Sequence, residues 1–288
     1  MYAMLLPVAT FYIVFHYWPM YGVQLAFKDF HVLKGISGSP WAGLKYFNQF
    51  FEGPFFSRVV TNTVTLSFLS LLFGFPLPIL LAVMLNEVKN TAYKKFVQNV
   101  TYIPHFLSTV VLVGLISSFV NNDYGIVNIL IRALGGQGAN WLQKPDWFRP
   151  LYVGSSVWQN AGWDSIIYIA ALSGVDPQLH ESARLDGANR FQCIRHINIP
   201  GIMPTIVILL ILNSGHIMSV GFEKAFLMQN DLNLGVADII ATYSYRMGIE
   251  TAQFSLATSI GLFNSVINCS LLLLVNAVSR HVSETSLW

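Results

Sequence analysis

Six stretches almost free of charge dominate this sequence, and they decide what it can fold into. They run from Met1 to Phe27, Val59 to Asn86, Phe96 to Asn122, Ile197 to Phe222 and Thr251 to Ser279, with a sixth from Pro150 to Val175 interrupted only by Asp164. Each is about 25 residues or longer, and roughly 20 apolar residues suffice for a helix to cross the hydrocarbon core of a bilayer. The whole chain of 288 residues carries only 16 Lys and Arg and 14 Asp and Glu, 10% of its length, where a soluble domain carries about 25%. That shortfall excludes an ordinary soluble enzyme, a disordered chain and a nucleic-acid binder dependent on a basic surface. The expected fold class is an all-α membrane protein of six transmembrane helices in one domain, residues 1–288. The expected spans lie at about 2–25, 60–86, 97–121, 150–174, 200–221 and 255–279.

The first stretch lacks a basic leading region and a small-residue cleavage site, and it runs into Tyr17-Trp18-Pro19-Met20-Tyr21. It is expected to be a span with an interfacial aromatic end rather than a cleaved signal. Cys193 and Cys269 are too far apart for a metal-ligand spacing, and no metal site is expected. Between the spans, two connections are short and basic: Glu87 to Lys95 carries Lys89, Lys94 and Lys95, and Asp176 to His196 carries Arg184, Arg190 and Arg195. The other side receives Lys28 to Arg58, Asp123 to Arg149 and Glu223 to Glu250. With Arg280, the first side has 7 basic residues in about 40 positions and the second 9 in about 86. The positive-inside rule therefore places the first side, and both termini, in the cytoplasm. In the first outer segment, apolar residues recur at helical spacing through Trp41 to Phe51, which suggests a short helix at the membrane surface.

The segment 176–196 is the polar exception in an apolar chain. Asp176 before Pro177 is a strong helix start, because the carboxylate can cap and the proline lacks an N–H that the first turn would leave unbonded. Gly187 is expected to stop that helix after about three turns. Asn189 is expected to cap a second helix ending before Pro200. Ala183, Gly187 and Ala188 leave a small-residue surface that another protein can approach closely; a solvated loop helix is the plain alternative.

Glu181-Ser182-Ala183-x-x-Asp186-Gly187-Ala188, followed by Ile197-x-Ile199-Pro200-x-x-x-Pro204, resembles the EAA motif of ABC-importer permeases, the MetI-like family. The spacing from Gly187 to Ile197 fits without a gap; Ser182 and Ile199 are mild departures. Phe15-His-Tyr-Trp-Pro-Met-Tyr-Gly, Ala26-Phe-Lys-Asp-Phe, Val220-Gly-Phe-Glu, Thr242-Tyr-x-Tyr-Arg and Gly261-Leu-Phe-x-Ser-Val extend the likeness over nearly the whole chain. Together they are similar to the LplB-like carbohydrate subgroup, associated with oligo- and polysaccharide uptake and including alginate importer permeases.

The resemblance implies a type I importer permease fold with a cytoplasmic coupling helix, in the bacterial cytoplasmic (inner) membrane. It implies a second, non-identical permease subunit, two ATP-binding-cassette ATPase subunits and an extracytoplasmic sugar-binding protein as partners. ATP and Mg would be held by the ATPase subunits, with no cofactor and no catalytic residue in this chain, consistent with the lack of a Gly-x-x-x-x-Gly-Lys-Ser/Thr loop. Glu181, Ser182, Ala183, Asp186, Gly187, Ala188 and Pro200 are the implied ATPase-coupling residues. Movement would be by alternating access.

Polar residues within the spans mark a candidate substrate path. Asn160, Trp163 and Asp164 share helical spacing on the fourth span, Trp158 lies beside them, and Asn213 and His216 pair on the fifth. Amides beside indole rings suit a sugar. The same spacings also serve helix packing in membranes, and that reading is preferred for Gly261, Asn264, Ser265 and Asn268 on the sixth. An ionisable Asp164 inside a span points to function or pairing. Glu223 and Arg246 are candidates to pair with one another or to meet the binding protein. For an acidic sugar, His216, Lys224, Arg246 and Arg149 are the nearby cations. The competing classes are a permease for a non-sugar solute, an ion-coupled secondary transporter and an intramembrane enzyme. The second offers only Asp164 as a coupling acid. The third lacks His-Glu-x-x-His, Gly-x-Ser-x-Gly and paired membrane aspartates.

Overall fold

A computed structural model describes residues 2–215 and 217–283. Among them the regular structure is helical, with one isolated bridge between Lys28 and Trp41. The principal helices are α1 (Tyr2–Tyr12), α2 (Lys45–Phe51), α3 (Phe56–Glu87), α4 (Thr91–Phe106), α5 (Thr109–Phe119), α6 (Ile126–Ala133), α7 (Pro145–Ser173), α8 (Pro177–Leu185), α9 (Arg190–Gly201), α10 (Met203–Ser214), α11 (Phe222–Met228), α12 (Ile240–Tyr245) and α13 (Phe254–Ser283). α1 continues through a π-helical turn, Ile13–Tyr17, and a 3-10 stretch, Trp18–Phe27. Among the described residues α3 and Phe254–Arg280 of α13 are each long and apolar enough to cross a membrane; α4 with α5, and α9 with α10, qualify as bent pairs.

Two of the expected spans are interrupted by a bend. The stretch at 97–121 is not straight: α4 and α5 meet at 103°. Pro104 lies in the last turn of α4, and Ser108 accepts from the Val111 N–H to start α5, so the backbone stops and restarts inside a charge-free run. The stretch at 200–221 is helical only to Ser214. The helix before it does not end ahead of Pro200 but runs to Gly201, with a 59° bend before α10. The π-helical turn Ile194–Asn198 precedes the proline and widens the backbone where the ring would otherwise meet a carbonyl.

Contacts divide the chain into two compact units, one from residues up to Thr61 with Asp238–Ile267, the other from Asn62–Ala237 with the segment from Asn268. In the first, Phe50, Phe56 and Phe263 pack edge to face, and Tyr243 stacks against Phe50. Ser255 accepts from Phe30 N–H and donates to Lys28 O, tying the 28–30 segment to the start of α13. In the second, Ala82 and Val83 of α3, Tyr168 and Leu172 of α7 and Ile202 form a buried cluster joined by Val175, Ile194 and Ile199. Gly162 lets α7 lie directly on α4, since a Cβ there would overlap the Thr101 carbonyl. Hydroxyls along these helices turn back on their own backbone, as with Ser67 on Thr63 O and Ser165 on Gly162 O, which satisfies them without water.

Candidate functional site

The coupling segment is built from local signals. Asp176 Oδ1 accepts from Gln178 N–H at 2.9 Å, and Pro177 opens α8. The helix ends in a Schellman turn: Gly187 (φ +80°) donates to Arg184 O, and Ala188 N–H reaches Ala183 O at 2.9 Å. A glycine fills that left-handed position without the Cβ penalty. Asn189 and Gln192 then form a reciprocal capping box with bonds of 2.9 and 2.7 Å, satisfying two otherwise open N–H groups of α9.

The two ends of the segment are anchored and its middle is not. Val175 before it, Ile194 near its end, and Ile199 and Ile202 after it, belong to the apolar cluster of α3 and α7. Between them Glu181, Ser182, Asp186 and Gly187 are exposed, Ala183 and Ala188 half-buried, and Pro200 exposed. Leu179, Leu185 and Phe191 also face outward, Leu185 at 89% exposure. Sequence reasoning singled out the small and acidic residues here and passed over these three; the available signal was an apolar side chain on an otherwise polar helix. Isolated exposed apolar side chains need no explanation; here three fall on one 13-residue stretch of an otherwise polar segment.

The second unit also holds a half-open cavity of about 540 Å³, within the range of small-molecule sites. Asn160, Asp164 and Asn213 line it, with Ser156, Gln159, Tyr168, Ser219 and Lys224. Asn160 Oδ1 bonds His105 Nδ1 at 3.0 Å, and Gln159 Nε2 donates to Leu107 O at 2.9 Å. These amides therefore brace the broken backbone between α4 and α5 while facing the cavity. Trp158 and Trp163 do not line it. Trp158 is exposed, and Trp163, on the same side of α7 as Asn160, stacks on His105 with ring centroids 4.5 Å apart. His216 lies outside the described residues. Asn268 holds the chain after α10, accepting from Met218 N–H and donating to Ser219 Oγ, both at 2.9 Å.

The charged candidates are distributed differently from the sequence expectation. Arg246 does not depend on Glu223: it bonds Asp238 Oδ2 at 2.7 Å, and Arg58 reaches the same oxygen at 3.1 Å. Asp238 is fully buried, and Thr242 Oγ1 donates to its other oxygen. Arg149 donates to Asn62 Oδ1. Lys224, expected at an outer end, is 6% exposed on the cavity wall. Near the first unit's surface Asp29 is held below the usual carboxylate range by the Tyr46 hydroxyl and by Lys45.

Residues 74–284 match the model of the family described as binding-protein-dependent transport system inner membrane component. The chain belongs to that family. It is a membrane transport component of the ABC-importer permease type. It is 43% identical over 288 residues, all of this chain and 90% of the relative, to the polygalacturonan/rhamnogalacturonan transport system permease protein YteP of Bacillus subtilis (strain 168). It is 42% identical over the same length to Protein LplB of that organism, covering 91% of it. A solved bacterial ABC transporter involved in the import of the acidic polysaccharide alginate contains a chain that matches with a TM-score of 0.92 and 44% identity, covering 98% of this chain and 95% of that one. A second structure shows a bacterial alginate ABC transporter in complex with an alginate pentasaccharide-bound periplasmic protein; its chain matches at 0.92 and 43% identity, covering 99% and 96%.

Proposed function

We propose that this chain is one of two non-identical permease subunits of an ATP-driven importer that carries oligo- or polysaccharides, acidic ones among them, into the cytoplasm. The observation that carries the reading is the likeness over nearly the whole chain, at 43–44% identity, to permeases whose named cargoes are polygalacturonan/rhamnogalacturonan or alginate. The segment 176–196 faces the cytoplasm, as do both termini, and docks on one of two ATPase subunits that hold ATP and Mg. An extracytoplasmic binding protein presents the saccharide on the opposite side. Closure of the ATPase pair displaces α8 and α9, and the anchoring of Val175, Ile194, Ile199 and Ile202 on α3 and α7 passes that displacement to the helices that carry the cavity. The π-helical turn at Ile194–Asn198 and the bend before α10 are the places where α9 and α10 absorb it.

The test is ATP hydrolysis by the reconstituted complex when its binding protein is loaded in turn with galacturonan, alginate and neutral oligosaccharides. Stimulation by at least one saccharide is the expected result. Absence of stimulation by every saccharide, with amino acids or metal complexes active instead, would overturn the substrate class and leave the fold standing.

A further inference from the structure

Lys224 is buried where no described residue offers it a negative partner, and that burial pulls its ammonium from the ordinary lysine range down to about 7. It lies on α11 at 6% exposure, on the wall of the cavity. Its Nζ donates to Tyr152 O at 2.9 Å and to Ser156 Oγ at 2.6 Å, and sits 4.8 Å from the Tyr152 ring centroid. An ammonium has three N–H donors, so two neutral acceptors leave one unassigned. Among the described residues no carboxylate lies within ion-pair distance of it; the ion pairs there are Lys45 with Asp29 and the two arginines with Asp238. Asp164, the carboxylate lining the same cavity, sits on α7 eight positions beyond Ser156, about 12 Å along the helix axis.

Taking an ammonium out of water without a counter-ion is costly, and a lysine at such a site defaults to function. The neighbouring groups show that Lys224 is not needed to satisfy them. Ser156 Oγ donates to Tyr152 O at 2.9 Å on its own, so both acceptors keep partners within α7. What the lysine adds is an ammonium on the wall of a space large enough for a sugar unit.

Building on the saccharide reading above, we propose that Lys224 is the anchor for a carboxylate of an acidic saccharide in this cavity and sets the preference for uronate over neutral units. A carboxylate oxygen takes the third N–H of Lys224. The hydroxyls of the following unit then face Asn160, Asn213 and Asp164, the last accepting hydrogen bonds from them. A second carboxylate placed near Asp164 meets like charge, so the chain is held at one acidic unit and not along its length, which keeps binding loose enough for release.

Equilibrium binding of fluorescent trigalacturonate and of its full methyl ester to the assembled wild-type and Lys224 variant complexes tests this. The acid should bind the wild type at least tenfold more tightly than the ester. Lys224→Gln, which retains an N–H donor toward Tyr152 and Ser156, should abolish that difference, and Lys224→Arg should keep most of it. Equal affinity of acid and ester for the wild type, or an acid preference surviving in Lys224→Gln, would overturn the assignment. Binding of neither probe to the wild type would also overturn it, whereas the saccharide reading itself stands or falls on the ATPase stimulation described above.

Discussion

Asp238 in the first unit and Lys224 in the second are both ionisable groups out of water, yet the protein treats them in opposite ways. Asp238 has two guanidiniums on one oxygen and the Thr242 hydroxyl on the other. Arg58 additionally lies over the Phe55 ring and Arg246 over Tyr243. Lys224 has a carbonyl, a hydroxyl and a ring face, with no opposite charge among the described residues. A charge answered by charges holds elements together: here the start of α3, the approach to α12 and the π-helical turn Arg246–Glu250. A charge answered only by dipoles keeps attraction in reserve for something that arrives later. Both residues look alike in composition, and only their partners separate a structural centre from a binding one.

That contrast can be broken by substitutions whose effects differ in size. Asp238→Ala leaves two guanidiniums facing each other across a buried gap and should cost about 3–5 kcal/mol. Thermal unfolding of the detergent-solubilised complex would register it as a large fall in Tm; an unchanged Tm would mean that the three residues are not a structural centre. Arg58→Met keeps the shorter Arg246 bond and removes one charge-assisted contact, so a loss of about 1.5–3 kcal/mol is expected in the same assay. Ser156→Ala takes one acceptor from Lys224 and should cost about 0.5–1.5 kcal/mol, with binding of trigalacturonate altered no more than a few-fold. Lys224→Met should change stability least, by less than about 1 kcal/mol in either direction, since replacing a buried charge by a packed apolar chain is often neutral or stabilising. If Lys224→Met instead destabilised as strongly as Asp238→Ala, the two sites would be alike and the comparison would fail.

The parts of this protein that could be read in its sequence are those whose cause is local. Asp176 with Pro177, Gly187 at a positive φ, and Asn189 with Gln192 act across three or four positions, and each does in space what its residue type demands. Absence of charge marks apolar stretches in the sequence, but it does not report direction: Pro104 and Ser108 put a 103° bend inside a run that reads as one span. Trp163 shares helical spacing with Asn160, yet His105, from α4, takes its ring face. Lys224 meets partners 68 and 72 positions away, and Asp238 meets Arg58 at a separation of 180. No window of the sequence contains those pairs, so the anchor and the structural centre emerge only when the helices are packed.

The central claim is that saccharide movement is driven through the segment turned by Gly187. A Cβ at Gly187 meets nothing within 4 Å, so a bulky residue there costs about 1–2 kcal/mol of local backbone strain without disturbing the core, while filling the face expected to meet the ATPase. The direct measurement is ATP-dependent uptake of labelled oligosaccharide into proteoliposomes carrying the whole complex with its binding protein, wild type beside Gly187→Trp, with assembly verified in both. The expected result is accumulation by the wild type and at least a tenfold loss in the variant. Uptake by Gly187→Trp at the wild-type rate would contradict the account.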